Sequence, residues 1–292
     1  MTASDVKLGA KPAKVVPPAG DAQALATGAV PIDDHCTGDR WTVKDIDHLA
    51  KLIALIAMGQ AAHAASIIEE FAPAAPAFTH AALVKEAQIK LTVQEKKQTP
   101  RTGYPRWQRD GFIFEAISWV AARQSHGSDT YLKDPHVSST AQGLDGLMIE
   151  VTAGKKDITR VTIFEDKCSD DPCAIFSSKV MPAFLDRHKH ARSAELIAAA
   201  ASLIQLSGMS QKEAIAAAEG VLDLGRRRYR ASLAVPDSYD TEAQRQKIFE
   251  GYDALKDIDP DQRIGATFVV QGKLREWFDE LAKRAIAYLG TL

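Results

Sequence analysis

Gly-Leu-Asp-Gly-Leu-Met-Ile-Glu-Val at residues 143–151 and Val-Thr-Ile-Phe-Glu-Asp-Lys at residues 161–167 are the stretches of sequence that decide the fold. Both are rich in β-branched and other apolar residues, as strands are. The connection between them, residues 152–159, contains glycine, lysine and aspartate, which favour turns. The whole segment therefore predicts two consecutive strands joined by a short turn.

Charged side chains extend an apolar face of each predicted strand. Successive side chains of a strand point to opposite faces, so Asp145 shares a face with Leu147 and Ile149. In the second strand Glu165 and Lys167 share a face with a valine and an isoleucine. Charges on a buried face are costly unless they are paired or bound to something. The pattern therefore indicates a functional site at which these charges are paired or bind a ligand.

The order of these charged residues is a known pattern. Asp145, followed on the next strand by the acid-x-lysine tripeptide at 165–167, resembles the signature of the PD-(D/E)XK nuclease superfamily. Leu144 stands where the family name has proline, a position that varies within the family. The resemblance covers residues from about 107 to about 188. It implies an α/β fold with a restriction-endonuclease-like core, in which a small mixed β-sheet is flanked by helices.

The resemblance also implies a metal site made of oxygen ligands. Mg²⁺ prefers carboxylates and retained waters, and Mn²⁺ is expected to substitute for it. Asp145 and Glu165 are the implied ligands, with the carbonyl of Asp166 as another. Lys167 would orient or help to deprotonate the attacking water and offset charge on the phosphate. The alternative for the motif alone is a solvated hairpin with a glutamate and a lysine on its surface.

A predicted helix before the hairpin contains one further acid. Residues 111–122 are apolar or small except for Glu115, which has Phe112 and Trp119 among its helical neighbours. PD-(D/E)XK enzymes often have a glutamate on the helix before the motif strands, so Glu115 is a further catalytic and metal-binding candidate. The alternative is a glutamate at the helix edge, or one paired with Arg109 or Arg123.

A basic cluster later in the chain is the candidate nucleic-acid surface. It consists of Arg226, Arg227, Arg228 and Arg230, with a tyrosine between the last two. Arginines clustered around an aromatic ring are suited to phosphate contacts. The alternative is a solvated helix end, where cations are favourable in any case.

Composition sets limits on the class of protein. The 292 residues carry a formal net charge of -2, so the protein is not basic overall and any nucleic-acid surface must be a local patch. Three cysteines and no recognisable signal peptide fit a reducing cytoplasm. No apolar run approaches the ~18 residues that suggest a membrane span, so no membrane association is expected.

The chain divides into three predicted parts. Residues 1–38 contain prolines and glycines at short intervals and predict a flexible arm. Residues 39–98 predict an N-terminal helical section, beginning with a helix from Val43 to about Met58 that Thr42 would cap. Residues 99–292 form the predicted nuclease-like α/β domain.

These patterns together predict a Mg²⁺-dependent nuclease of the PD-(D/E)XK type, with DNA as the expected substrate. A free nuclease endangers the cell that makes it, so a regulatory partner such as a helicase or a sensor is expected. The arrangement resembles antiphage-defence and restriction systems, in which such a nuclease is the effector subunit. The alternative is a non-catalytic interaction or assembly subunit on a nuclease-like helical scaffold.

Overall fold

The computed structural model describes residues 23–96, 98–126, 130–136, 143–152 and 157–292. Within these ranges the chain forms one mixed sheet of seven strands with helices on both faces. The predicted α/β class, a mixed sheet flanked by helices, is confirmed, and the sheet is larger than expected. The strands are β1 Leu25–Asp33, β2 Cys36–Val43, β3 Thr130–Leu132, β4 Gly146–Val151, β5 Ile158–Cys168, β6 Arg227–Pro236 and β7 Arg263–Val270.

The sheet has a parallel centre and antiparallel edges. Its strand order is β1-β2-β7-β6-β5-β4-β3, in which β2, β7, β6 and β5 are parallel to one another. The pairs β1–β2, β4–β5 and β3–β4 are antiparallel. Central parallel strands are buried on both faces and are mostly apolar; in β6, residues 229–235 are all buried.

Ten α-helices in the described ranges cover the two faces of the sheet. Helices α1 to α4 and α10 pack on one face, and α5 to α9 pack on the other. Both layers are needed because a parallel sheet exposes apolar side chains on each side. The helices are α1 Ile46–Ala57, α2 Ala61–Glu70, α3 Ala81–Leu91, α4 Arg106–Ser125, α5 Pro172–Ile175, α6 Met181–His188, α7 Ser193–Gln205, α8 Gln211–Ala218, α9 Glu242–Ile248 and α10 Leu274–Leu289.

The prediction of a flexible arm is wrong for residues 23–38, the part of the arm that the structure describes. Residues 25–43 form β1 and β2, which extend the sheet beyond β7. Pro31 is tolerated because it lies in an edge strand at an irregularity of the ladder, between Val30 and Asp33, where the register of β1 and β2 shifts. Residues 1–22 of the predicted arm lie outside the described residues.

The predicted helical section exists but is not separate from the rest of the protein. Helix α1 begins at Ile46, because β2 continues to Val43. Its cap is Asp45, not Thr42; the Asp45 carboxylate accepts from the main-chain N–H of His48 at 2.9 Å. Helices α1 to α3 share one apolar core with α4 and α10. The predicted limits at residues 38/39 and 98/99 therefore divide a single core.

The predicted hairpin is confirmed as β4 and β5, although residues 153–156 of its turn lie outside the described residues. Gly146 stands opposite Phe164 in the ladder. A Cβ atom at Gly146 would overlap the Phe164 ring, so glycine allows this ring to lie against β4. No helix of the described ranges is long and apolar enough to cross a membrane.

Candidate active site

The end of the β4–β5 hairpin brings together the three motif residues. The Lys167 ammonium donates to Asp145 Oδ2 and lies 2.9 Å from Glu165 Oε2. Asp145 comes directly before β4, and its Oδ2 also accepts the main-chain N–H of Asp166 at 3.0 Å. The period-two spacing of Glu165 and Lys167 thus places both on the face that meets Asp145. Two carboxylates converge on one cation.

The electrostatics of this group follow from its burial. Burial and the neighbouring Asp145 raise the pKa of Glu165, although Lys167 and Arg187 oppose this shift. Burial alone would lower the pKa of Lys167, but Asp145 and Glu165 outweigh it and raise this pKa above its ordinary value. In this arrangement Lys167 is therefore a firmly protonated ammonium. It can donate hydrogen bonds and offset negative charge, but it is a poor base.

Arg187, near the end of α6, is a member of the site that the motif did not reveal. Its guanidinium forms a buried ion pair with Glu165 Oε1. Two cations, Lys167 and Arg187, thus face the two carboxylates of Asp145 and Glu165. No spacing rule connects α6 with β5, so the sequence contained no signal for this contact; it arises from the packing of α6 on the sheet.

Glu115 reaches the same place from α4, in company with a second residue that sequence reasoning missed. Glu115 Oε1 accepts the main-chain N–H of His136 at 2.7 Å, and its Oε2 lies 3.0 Å from His136 Nδ1. Glu115 is therefore paired with neither Arg109 nor Arg123. A carboxylate at Nδ1 fixes the orientation of an imidazole and leaves its Nε2 as the acceptor. Here Nε2 lies 3.4 Å from Lys133 Nζ.

One cavity of about 470 Å³ is lined by four of these polar residues, Glu115, His136, Asp145 and Lys167. Asp145 and Lys167 form one part of its wall, and Glu115 and His136 form another. Ligand sites of this size are ordinarily apolar with a few convergent polar groups. Here Phe112 supplies part of the apolar wall. The structure therefore places Glu115, Asp145 and Lys167 at one cavity. Glu165 contacts Lys167 and is not itself among the residues that line the cavity.

The side chain of Asp166 points away from this cluster. Its carboxylate is buried on the opposite face of β5 and accepts from Ser118 Oγ at 2.8 Å, with Arg230 Nη2 3.9 Å away. Burial raises the pKa of Asp166 to about 7. This carboxylate therefore belongs to the packing of α4 on the sheet. A metal contact through the Asp166 carbonyl stays a prediction.

The donor chemistry fits Mg²⁺ in part. Within the described ranges no three Asp, Glu, His or Cys side chains are grouped so that they could hold a metal. The reason is visible: Lys167 lies between Asp145 and Glu165, and Glu115 is engaged by His136. Yet the carboxylates of Asp145 and Glu165 already converge on one cation, the Lys167 ammonium. Carboxylate oxygens are hard ligands of the kind that Mg²⁺ prefers. A metal would compete with the ammonium for these oxygens.

The predicted nucleic-acid cluster lies elsewhere. Arg228 stands in β6 opposite a residue of β5 five positions before Lys167, roughly 16 Å along the strand. Arg227 is fully buried and donates to main-chain carbonyls, and Arg230 is buried with its guanidinium 3.5 Å from the Phe164 ring centroid. Contrary to the prediction, neither guanidinium is available to a phosphate at the surface.

The other two arginines of the cluster are paired with aspartates. Arg226 lies 2.9 Å from Asp157, and Arg228 lies 2.5 Å from Asp261. Both are partly exposed. Phosphate binding by these two arginines stays a prediction, and it would require them to exchange their present partners.

Comparison with known proteins does not assign the chain to a family. No protein-family model matches it, and no curated protein is found to be similar to it. The resemblance to PD-(D/E)XK nucleases therefore depends on the hairpin motif and on the geometry around Lys167.

Proposed function

We propose that the protein is a metal-dependent nuclease of the PD-(D/E)XK type, with DNA as the expected substrate and a restriction-endonuclease-like core. One observation carries the proposal: Asp145 and Glu165 converge on the Lys167 ammonium at a cavity shared with Glu115. A solvated hairpin, the bland alternative, would leave these side chains exposed. Instead Glu165 is buried, and the other groups are largely shielded.

Each group has a role that its surroundings support. Mg²⁺, when bound by Asp145 and Glu165, would supply charge stabilisation and a more acidic water. The Lys167 ammonium, which pairs with both carboxylates, lines the cavity, so it can orient the attacking water and offset charge on a phosphate oxygen. Arg187 favours the ionised form of Glu165 and holds it in place, because its guanidinium pairs with carboxylate oxygen Oε1.

Glu115 and His136 form a second functional pair. Glu115 accepts hydrogen bonds from both the main-chain N–H and the Nδ1–H of His136. It therefore fixes the tautomer of the imidazole, with the proton on Nδ1 and Nε2 as the acceptor. His136 is thereby positioned to exchange a proton at the cavity, for example with the leaving oxygen. In this arrangement Glu115 acts as the group that orients His136. Direct metal binding by Glu115 stays a prediction.

The order of elements around the site also supports the proposal. Helix α4 precedes the hairpin, and helices α5 to α8 follow β5 before the chain returns to the sheet as β6. This is the arrangement that the resemblance implies, with a helix after the acid-x-lysine strand. It is support at the level of fold, which does not by itself establish an activity.

The test is cleavage of DNA in the presence of Mg²⁺ by the purified wild-type chain and by Glu165→Gln and Lys167→Met variants. Because the lost interactions act on developing charge, each variant should lose activity by about a thousandfold or more. The matched control is Glu150→Gln, which alters an acid–base pair of the same hairpin, Glu150 and Arg160 at 3.0 Å. This control should retain wild-type rates. Undiminished cleavage by Glu165→Gln would refute the proposal.

A second candidate function is a non-catalytic interaction or assembly subunit. The observation that favours it is the charge balance of the site, in which Lys167 and Arg187 already neutralise Asp145 and Glu165. This function predicts no cleavage and no metal binding, so titration of the protein with Mn²⁺ in a calorimeter separates the two. A regulatory partner such as a helicase or sensor stays a prediction in either case.

A further inference from the structure

An exposed tryptophan stands at the candidate active site. Trp107, in the first turn of α4, is 67% exposed and lines the same cavity as Asp145 and Lys167. Exposed large apolar side chains elsewhere in the described chain, such as Phe78 and Leu206, do not line this cavity. An indole left in water gains considerable free energy when a partner covers it. We therefore expect a flat, apolar group to cover Trp107, next to the charged residues of the cavity.

The indole is mounted on a fixed part of the fold. Arg106 and Arg109, on either side of Trp107 in the sequence, both pair with Asp279 of α10, with Arg106 Nη1 2.7 Å from its carboxylate. Arg109 also pairs with the buried Asp110 at 2.6 Å. These contacts anchor the start of α4 to α10. Trp107 is thus exposed although its helix is anchored, as a preorganised binding surface requires.

The cavity that Trp107 lines also contains a guanidinium. Arg275, in the first turn of α10, lines the same cavity as Trp107. Its Nη1 lies 2.7 Å from Asp110, and its Nε lies 3.0 Å from Asp170. Within the described residues no partner is recorded for Nη2. A guanidinium held on one side by carboxylates presents its remaining N–H groups in a fixed direction, which suits a phosphate.

We infer that Trp107 and Arg275 form a subsite for one unpaired nucleotide, and that the substrate is single-stranded or locally melted nucleic acid. The inference rests on the proposed nuclease function. A base can stack on an indole only when its face is free, and in a duplex that face is covered by the neighbouring base pairs. The recessed position of Asp145 and Lys167 favours the same substrate, since a flexible strand enters a cavity more readily than a rigid duplex.

The charges around the cavity support stacking as the source of affinity. Arg106 and Arg109, on either side of Trp107, are both paired with Asp279. The chain has a formal net charge of -2. Binding that depended on neutralised phosphates would need many free cations and would weaken steeply with salt. Binding through a stacked base depends on the base instead.

The experiment measures fluorescence anisotropy of a labelled thymidine oligonucleotide in EDTA, where cleavage cannot interfere. Loss of one stacked base predicts that Trp107→Ala weakens binding by about 5- to 100-fold. Trp107→Phe should retain most of the affinity, because a phenyl ring still stacks. Phe78→Ala is the matched control, an exposed aromatic outside the cavity, and should bind as wild type does.

Two further ligands complete the test. A blunt duplex of the same length should bind more weakly than the single strand, and an oligonucleotide with abasic positions should reproduce the loss seen with Trp107→Ala. Equal binding of single strand and duplex, or wild-type affinity of Trp107→Ala, would overturn the inference. Failure of the nuclease proposal is a separate result, because it appears as absent cleavage with Mg²⁺ while binding in EDTA is unchanged.

Discussion

At the scale of single residues, the site combines side chains that a sequence pattern can place with others that it cannot. Asp145, Glu165 and Lys167 were predictable because strand periodicity fixes which face each side chain occupies. His136 and Arg187 were not, because one follows β3 in a connecting segment and the other lies on α6. Their contacts depend on how distant segments pack, and no local period encodes that.

The Arg187–Glu165 ion pair leads to a prediction about stability. Replacing Arg187 with methionine leaves the buried Glu165 with Lys167 as its remaining cation. Removing one partner of a buried ion pair costs about 3–5 kcal/mol, and the remaining contact with Lys167 places the expected cost toward the lower end. The control is Arg226→Met, which removes a more exposed pair with Asp157 and should cost less than about 1 kcal/mol. Urea denaturation of both variants measures the difference. Equal costs would show that Arg187 does not hold Glu165.

At the scale of elements, glycine was the main source of error. Residues 23–38 were expected to be flexible because they contain glycine and proline, yet they form strands. A Cβ atom at Gly38 would overlap the Val30 carbonyl oxygen, so this glycine permits close strand packing. Sequence alone does not distinguish a glycine that loosens the chain from one that lets two strands approach.

The contact between β2 and the segment before α9 gives a prediction about pH. Arg40 pairs with Asp240, with Nε 2.8 Å from Oδ1, and this hydrogen bond lowers the pKa of Asp240. A lowered pKa stabilises the folded protein above the ordinary aspartate pKa, and the benefit is lost as the pH falls through the folded pKa. Asp240→Asn should therefore cost up to about 1 kcal/mol at pH 7, because the pair is partly exposed.

The measurement is the urea unfolding free energy of the wild type and of Asp240→Asn at neutral pH and at pH values below the aspartate range. The difference between the two proteins should shrink as the pH falls, since Asp240 becomes protonated in the wild type. Asp253→Asn, in a more exposed pair with Lys256, serves as the control and should change stability little. A difference that is constant with pH would mean that the charge of Asp240 contributes nothing.

At the scale of the whole molecule, the predicted α/β class was correct, but the extent of the sheet was not foreseen. Strand β6 runs from Arg227 to Pro236, so it extends well beyond its apolar residues. Its first residues are arginines, which a sequence pattern assigns to the surface although Arg227 is buried. A buried arginine whose N–H groups donate to main-chain carbonyls cannot be recognised from the hydropathy of the sequence.

Metal binding would act on the stability of the whole fold. A ligand that binds the folded protein and not the unfolded chain raises the melting temperature by mass action, increasingly so above its dissociation constant. Here Asp145 and Glu165 converge in the folded state alone, because one comes directly before β4 and the other lies in β5. Mn²⁺ must compete with the Lys167 ammonium for these oxygens, so the shift should begin at metal concentrations well above those of a preformed carboxylate cage.

We therefore expect Mn²⁺ to raise the melting temperature of the wild type and to raise that of Asp145→Asn much less, because the amide is a weaker ligand that carries no charge. Lys167→Met should show the largest shift, since it removes the competing cation and leaves two repelling carboxylates that metal binding relieves. Glu150→Gln, on the same hairpin, should match the wild type. Thermal melts in EDTA and across a Mn²⁺ titration provide the measurement, and equal shifts in the wild type and Asp145→Asn would remove Asp145 from the metal site.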